Sequence, residues 1–206
     1  MDRATPSPAN TSLWEFFART VAWFVLCTVI WMQVSSWTSY PVAQLAHFTL
    51  NVGADYWVRK VHVTPGSVEV DTRIEVAVSQ QPGVNGKADL IAQADPSRYG
   101  YGLPLFIALL LASRSTNRLK RALVGYVVLW IPQTFSLVLE LLRQMMVAGG
   151  SARALVVDQW QMEAIAMGYQ AGSLLVPTLA PVMLWLWLER EGFAKTLWRG
   201  LTEVRG

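Results

Sequence analysis

The sequence predicts an α-helical integral membrane protein. Four transmembrane helices are expected, with a small antiparallel β meander inserted outside the membrane between spans 1 and 2. Three observations carry this. Four apolar segments punctuate a chain that is 53% hydrophobic and only 15% charged, whereas a soluble domain carries about 25% charged residues. The ten tryptophans suit a membrane interface, where the ring is buried and the N–H stays wet. The cations are also sorted: Arg114, Arg118, Lys120 and Arg121 crowd between the second and third segments, and Arg190, Lys195, Arg199 and Arg205 follow the last. Short loops rich in Lys and Arg stay cytoplasmic. Both basic groups are therefore expected inside, and the polar stretch from Asn51 to Arg98 outside.

The elements follow in order. Residues 1–11 are polar and Pro-rich and are expected to be a disordered cytoplasmic N-terminus. Span 1 covers 12–37. Ser12 to Glu15 fits a capping box, in which the hydroxyl takes the third N–H and the carboxylate reaches back. No Ala-x-Ala site follows, and Trp23, Trp31 and Trp37 stud the segment, so it reads as an uncleaved anchor.

The outside, periplasmic segment covers 38–98. Pro41 to Leu50 reads as a short helix with Val42, Leu45, Ala46 and Thr49 on one face, lying on the outer interface or packed on the outside domain. Val68, Val70, Thr72, Ile74, Val76 and Val78 then alternate with Glu69, Asp71, Arg73, Glu75 and Ala77. A period of two means a strand with one buried and one wet face. Thr64-Pro65-Gly66-Ser67 supplies the preceding turn, because Pro65 presets φ and Gly66 tolerates φ > 0. Trp57 to Val63 is the partner strand, and Lys87 to Ala94 a third strand after the turn Pro82 to Gly86. Three strands are marginal alone, so the apolar face needs a cover: the short helix, the membrane surface or a partner.

Span 2 covers 99–113, short against the roughly 20 residues of a perpendicular crossing. A basic cytoplasmic loop at 114–121 leads to span 3 at 122–147, an outside loop at 148–160, and span 4 at 161–188, which contains Pro177 and Pro181. Proline is tolerated there because neighbouring helices satisfy the freed carbonyls. Residues 189–206 form a charged amphipathic cytoplasmic tail.

Polar side chains inside spans are costly, so each needs an account. Gln133, Ser136, Glu140 and Gln144 share one face of span 3, and Glu163, Gln170 and Ser173 one face of span 4. At about 1.5 Å per residue, Gln133 and Gln170 both fall near mid-membrane and are expected to hydrogen-bond each other or a shared neighbour. Glu140, Arg143 and Glu163 fall near the outer interface. Gln133, Glu140, Arg143, Glu163 and Gln170 thus form a candidate intramembrane network, either a structural glue between helices or a site.

Enzyme classes fail on inventory. Rhomboid-type proteolysis needs an intramembrane histidine, but His47 and His62 lie outside the spans. No aspartate lies in a span, and Glu140-x-x-Arg143 lacks the doubled glutamate and histidines of glutamate-dependent intramembrane proteases. No Cys/His/Asp cluster has metal-ligand spacing, and the Gly-rich pieces follow no strand and open no phosphate-binding helix. No catalytic, cofactor or metal site is expected. Cys27 is the only cysteine, which excludes an internal disulfide. No basic stripe interleaved with aromatics points to nucleic acid.

Two blocks carry a resemblance. One is Tyr99-Gly100-Tyr101-Gly102-Leu103-Pro104-Leu105 followed by Ala108-Leu109-Leu110-Leu111-Ala112. The other runs from Gly168-Tyr169-Gln170 to Leu175-Val176-Pro177-Thr178-Leu179-Ala180-Pro181-Val182 and Trp185. With the length and the outside domain, they resemble the exosortase H-associated membrane protein family, over most of the chain. The resemblance implies a neighbour of a membrane transpeptidase-like sorting enzyme and no chemistry of its own. Exosortases use Cys, Arg and His or Arg near the outer face; Cys27 sits in an apolar run without the surrounding motif.

The expectation is a non-enzymatic accessory or scaffold subunit, a multi-pass protein of the bacterial inner membrane with both termini cytoplasmic. Its partners would be the lipid bilayer and another membrane protein, an exosortase under the resemblance. The competing expectation is a small intramembrane enzyme or transport subunit using Glu140, Arg143 and Glu163. Geometry separates them: a catalyst needs these groups converging on a wet pocket, a scaffold needs them paired and closed.

Overall fold

A computed structural model of the chain describes the backbone of residues 8–81, 84–113, 117–151 and 158–203, and the side-chain surroundings of residues 14–75, 89–113, 117–150 and 158–189. Among these, three helical segments are long and apolar enough to cross a membrane: Trp14–Thr38, Arg118–Gly150 and Gln159–Glu189.

The first lies in α1, Pro8–Thr38. The helix begins well before Ser12, because proline has no N–H to leave unsatisfied and its fixed φ suits a first turn. The expected capping box is therefore inside the helix, and Glu15 instead pairs with Arg19 one turn on. The second segment is in α4, Arg118–Ser151. Arg118, Lys120 and Arg121, expected in a loop, form its first turn; Arg114 lies outside the described residues. The third is built from α5, Gln159–Gln170, a π-helical turn at Ala171–Leu175, and α6, Val176–Glu203. At its start the Asp158 N–H donates to Gln161 Oε1 at 3.3 Å, so the Gln161 side chain reaches back to cap the first turn. The wide turn precedes Pro177, whose ring crowds the carbonyl four residues back. The basic tail from Arg190 lies outside the described side chains.

The expected span 2 is a shorter element. α3 covers Gly102–Ala112, about 16 Å at 1.5 Å per residue, against a hydrocarbon core of about 30 Å. A 3₁₀ turn, Pro96–Tyr99, precedes it, and the Asp95 carboxylate caps that turn by accepting from the Ser97 N–H at 2.8 Å.

The chain divides into two compact units. One comprises the described residues of 1–33, 101–129 and 179–206. Its core is Leu103, Phe106, Leu109, Leu129 and Trp185, with Phe16, Trp31 and Tyr126 packed around it. Most of α3 is buried here. Gly125 leaves the space that the Phe106 ring fills: a Cβ at 125 would stand 2.1 Å from two ring carbons. Arg121 pairs with Glu189.

The other unit comprises 34–100 and 130–178 and holds the meander, in the order β1-β2-β3 with antiparallel pairing: β1 Val58–Thr64, β2 Ser67–Gln81, β3 Val84–Ala94. Thr64 pairs with Ser67, so Pro65-Gly66 is the whole connection, and Gly66 takes φ +90, a conformation that costs a side-chain-bearing residue. Along β2, Val68, Val70, Thr72 and Ile74 are buried while Glu69, Arg73 and Glu75 are exposed. The alternation expected from the sequence is present; the side chains of Val76 and Val78 lie outside the described residues. The third strand begins at Val84, three residues ahead of the expected start.

The sheet's cover is α2, Tyr40–Gly53. Its buried residues are Val42, Ala43, Ala46 and Leu50, whereas Leu45 and Thr49 are exposed. The expected face was rotated by about one residue, because apolar side chains occur all round this helix and only the sheet's position selects among them. Val42, Ala46 and Leu50 share one core with Val58, Val68, Val70, Ile74 and Ala92, and with Leu137, Leu141 and Met145 of α4. Burial of this apolar area is the main stabilising term of so small a sheet.

Candidate functional site

The polar network grows from α4. Glu140, Arg143 and Gln144 are three and four residues apart and so lie on one helical face. Arg143 donates to both carboxylate oxygens of Glu140, from Nε to Oε2 at 3.1 Å and from Nη2 to Oε1 at 3.2 Å. Gln144 Nε2 donates to Glu140 Oε1 at 2.7 Å. The Arg143 guanidinium carbon stands 4.4 Å from the centre of the Tyr169 ring on α5, a cation–π distance.

Gln144 carries the network into the sheet. Its Oε1 accepts from the Gln93 backbone N–H at 3.2 Å, and its Nε2 donates to the Gln93 carbonyl at 3.0 Å. The Gln93 side chain then donates to Ser67 Oγ at 3.0 Å and Glu69 Oε1 at 3.2 Å. A cavity of about 290 Å³ adjoins this chain of contacts, lined by Ser67, Gln93, Asp95, Arg98, Tyr99, Glu140 and Gln144 among others. Tyr99 is buried at this cavity. Arg98 is exposed at the same cavity. Arg143 and Gln144 thus both hold the Glu140 carboxylate, which also lines the cavity.

The five residues expected as one network separate into three settings. Glu140 and Arg143 meet. Gln133 is buried in α4. Glu163 and Gln170 are exposed on α5, and Glu163 accepts from Gln159 Nε2 at 2.8 Å. Among the described residues no hydrogen bond joins Gln133 to Gln170. The reason is the way the two helices meet. Gly168 faces Leu139 and Gly172 faces Ser136: a Cβ on Gly168 would come within 3.0 Å of Leu139 Cδ1, and one on Gly172 within 3.2 Å of Ser136 Cα. Gln170 is two residues from both glycines, about 200° around the helix, so it points away from α4. The same register places Gln133 about one turn beyond the level of Gln170.

Sequence reasoning missed Gln93, Tyr99 and Tyr169 as members of the network, and the seam Gly168-x-x-x-Gly172. The seam had a signal, since small residues four apart let membrane helices approach closely. Gln93 had none, because it meets Gln144 through its backbone, 51 residues away.

No curated protein and no solved structure matches the chain. Residues 10–192 match the family described as exosortase H-associated membrane protein. The match takes in both sequence blocks, the meander and all three long apolar helices, and the chain belongs to that family.

Proposed function

We propose that the chain is a non-enzymatic accessory or scaffold subunit of the bacterial inner membrane that partners an exosortase-type protein-sorting enzyme. The observation that carries this reading is the pairing of Glu140 within the chain. Its carboxylate is held by Arg143 and Gln144, and Glu163, needed for an enzyme or transport role, lies apart on α5. The network joins α4, α5 and the sheet edge, which suits a frame that holds an outside domain on membrane helices. The family's printed association with exosortase H supports the choice of partner.

In this reading both termini and residues 114–121 are cytoplasmic, while 38–98 and 148–160 are periplasmic. The charge asymmetry supports this. A chain that leaves α1 outside and enters α4 from the basic side must cross back between them, so the segment 99–113 around α3 serves as the fourth span. Enclosure of α3 by its neighbours supports so short a crossing, since buried residues do not have to match the lipid.

Co-expression with the exosortase tests the function. The affinity-tagged chain, extracted in mild detergent, is expected to retain exosortase H in stoichiometric amount. Exosortase H that purifies without the chain, and sorts its substrates equally well in cells lacking it, would overturn the reading.

A further inference from the structure

The outward face of α5 carries a side-chain amide that the described residues leave without a partner, and a glutamate bonded only within its own helix. Gln170 is exposed, and no described residue hydrogen-bonds its side-chain amide; only its backbone carbonyl is engaged, by Ser173 Oγ at 3.3 Å. It lies about 16 Å along the helix from Gln159 at 1.5 Å per residue, well inside the Gln159–Glu189 crossing segment. An amide has two N–H donors and an acceptor, and lipid supplies a partner for none of them. The side chain cannot turn inward, because the α4 side of the helix is occupied by the Gly168 and Gly172 contacts.

Gln170 does not stand alone. Met167 and Leu174, 70% and 67% exposed, flank it three and four residues away, and exposed Glu163 lies four residues before Met167. Spacings of four, three and four place all of them on one stripe of a helix.

We propose that the stripe Glu163, Met167, Gln170 and Leu174 is the intramembrane surface that docks a helix of the exosortase-type partner. That helix presents a hydrogen-bonding side chain to Gln170 and a donor or cation to Glu163. The proposal rests on the accessory-subunit reading. Charge selects a different chain over a second copy of this one. Two copies in one bilayer, related by an axis along its normal, would meet with their stripes parallel. Gln170 could then pair with itself, but Glu163 would face Glu163.

The test uses the full chain co-expressed with tagged exosortase H in membranes. A photo-crosslinking residue is placed at position 167 or 174, and at Ile131, an outward-facing residue of α4 that is 72% exposed, as control. Crosslinks to exosortase H are expected from 167 and 174 and not from 131. Gln170→Leu, which suits lipid better than the native amide and so leaves the helix inserted, is expected to lower the yield about three- to eighteen-fold, the range of one interhelical hydrogen bond. Gln170→Asn is expected to retain most of it. An unchanged yield in Gln170→Leu overturns the proposal. So do crosslinks from 167 and 174 to a second copy, or to lipid alone, while exosortase H still co-purifies; in that case the accessory reading survives. Failure of exosortase H to co-purify at all removes the accessory reading, and the proposal with it.

Discussion

Gln144 replaces a strand at the edge of the sheet. β3 is an edge strand, and the Gln144 amide exchanges both hydrogen bonds with the backbone of Gln93, as a paired residue on a neighbouring strand would. An open edge is a template for unwanted pairing, and here a helix side chain closes one position of it. Glu140 holds that amide in place, Arg143 holds Glu140, and Tyr169 covers Arg143.

Gln144→Leu removes both bonds to Gln93. Water reaches this position, so the cost is expected to be modest, about 1–2 kcal/mol. The Gln93 amide is expected to exchange its hydrogen faster than its neighbours in β3. Gln144→Glu is expected to cost more, because a carboxylate cannot donate to the Gln93 carbonyl and would stand against Glu140. Unchanged protection of Gln93 in both variants would show that the clamp does not hold the edge.

The Phe106 pocket makes Gly125 irreplaceable by alanine. Alanine is the better helix former by about 1 kcal/mol, but its Cβ would overlap a buried ring. Overpacking of this kind costs about 1–3 kcal/mol, so Gly125→Ala is expected to lower the detergent unfolding temperature. A rise would mean that the ring moves aside freely.

The α4–α5 seam is expected to show a size threshold. Gly172→Ala brings a methyl to 3.2 Å from Ser136 Cα, a contact that small shifts relieve. Gly172→Ile forces the backbones apart and is expected to cost about 1–3 kcal/mol. Thermal denaturation of both variants checks the order, and equal losses would contradict close packing at this seam.

The strand alternation separates two neighbouring substitutions. Ile74 is 4% exposed and Arg73 is exposed. Ile74→Asp buries an unpaired charge and is expected to cost several kcal/mol, while Arg73→Glu is expected to cost about 0.5 kcal/mol or less. Limited proteolysis of the meander distinguishes them; equal resistance would reject the register.

Orientation is tested by cysteine labelling in intact cells, in a Cys27→Ser background. A cysteine at position 73 is expected to react with an impermeant reagent added outside, and one at position 118 to stay unlabelled. Labelling at 118 would reject the topology as a whole.

Some of this protein was legible in the chain itself. Long apolar segments, a period-two strand and the Pro65-Gly66 turn are local patterns, each set by a few neighbouring residues and the solvent they require. The i, i+3 and i, i+4 relations of Glu140, Arg143 and Gln144 were visible for the same reason. What tertiary structure decided is which faces meet. It chose Val42, Ala43, Ala46 and Leu50 over Leu45 and Thr49, because Leu45 is as apolar as the residues buried and only the sheet's position separates them. It brought Gln144 to Gln93, a backbone partner that no side-chain pattern can announce. It also turned Gln170 outward, because the glycines at 168 and 172 allow the closest approach to α4 and the helix must present that side. Local pattern determines what an element is, and packing determines which of its surfaces are used.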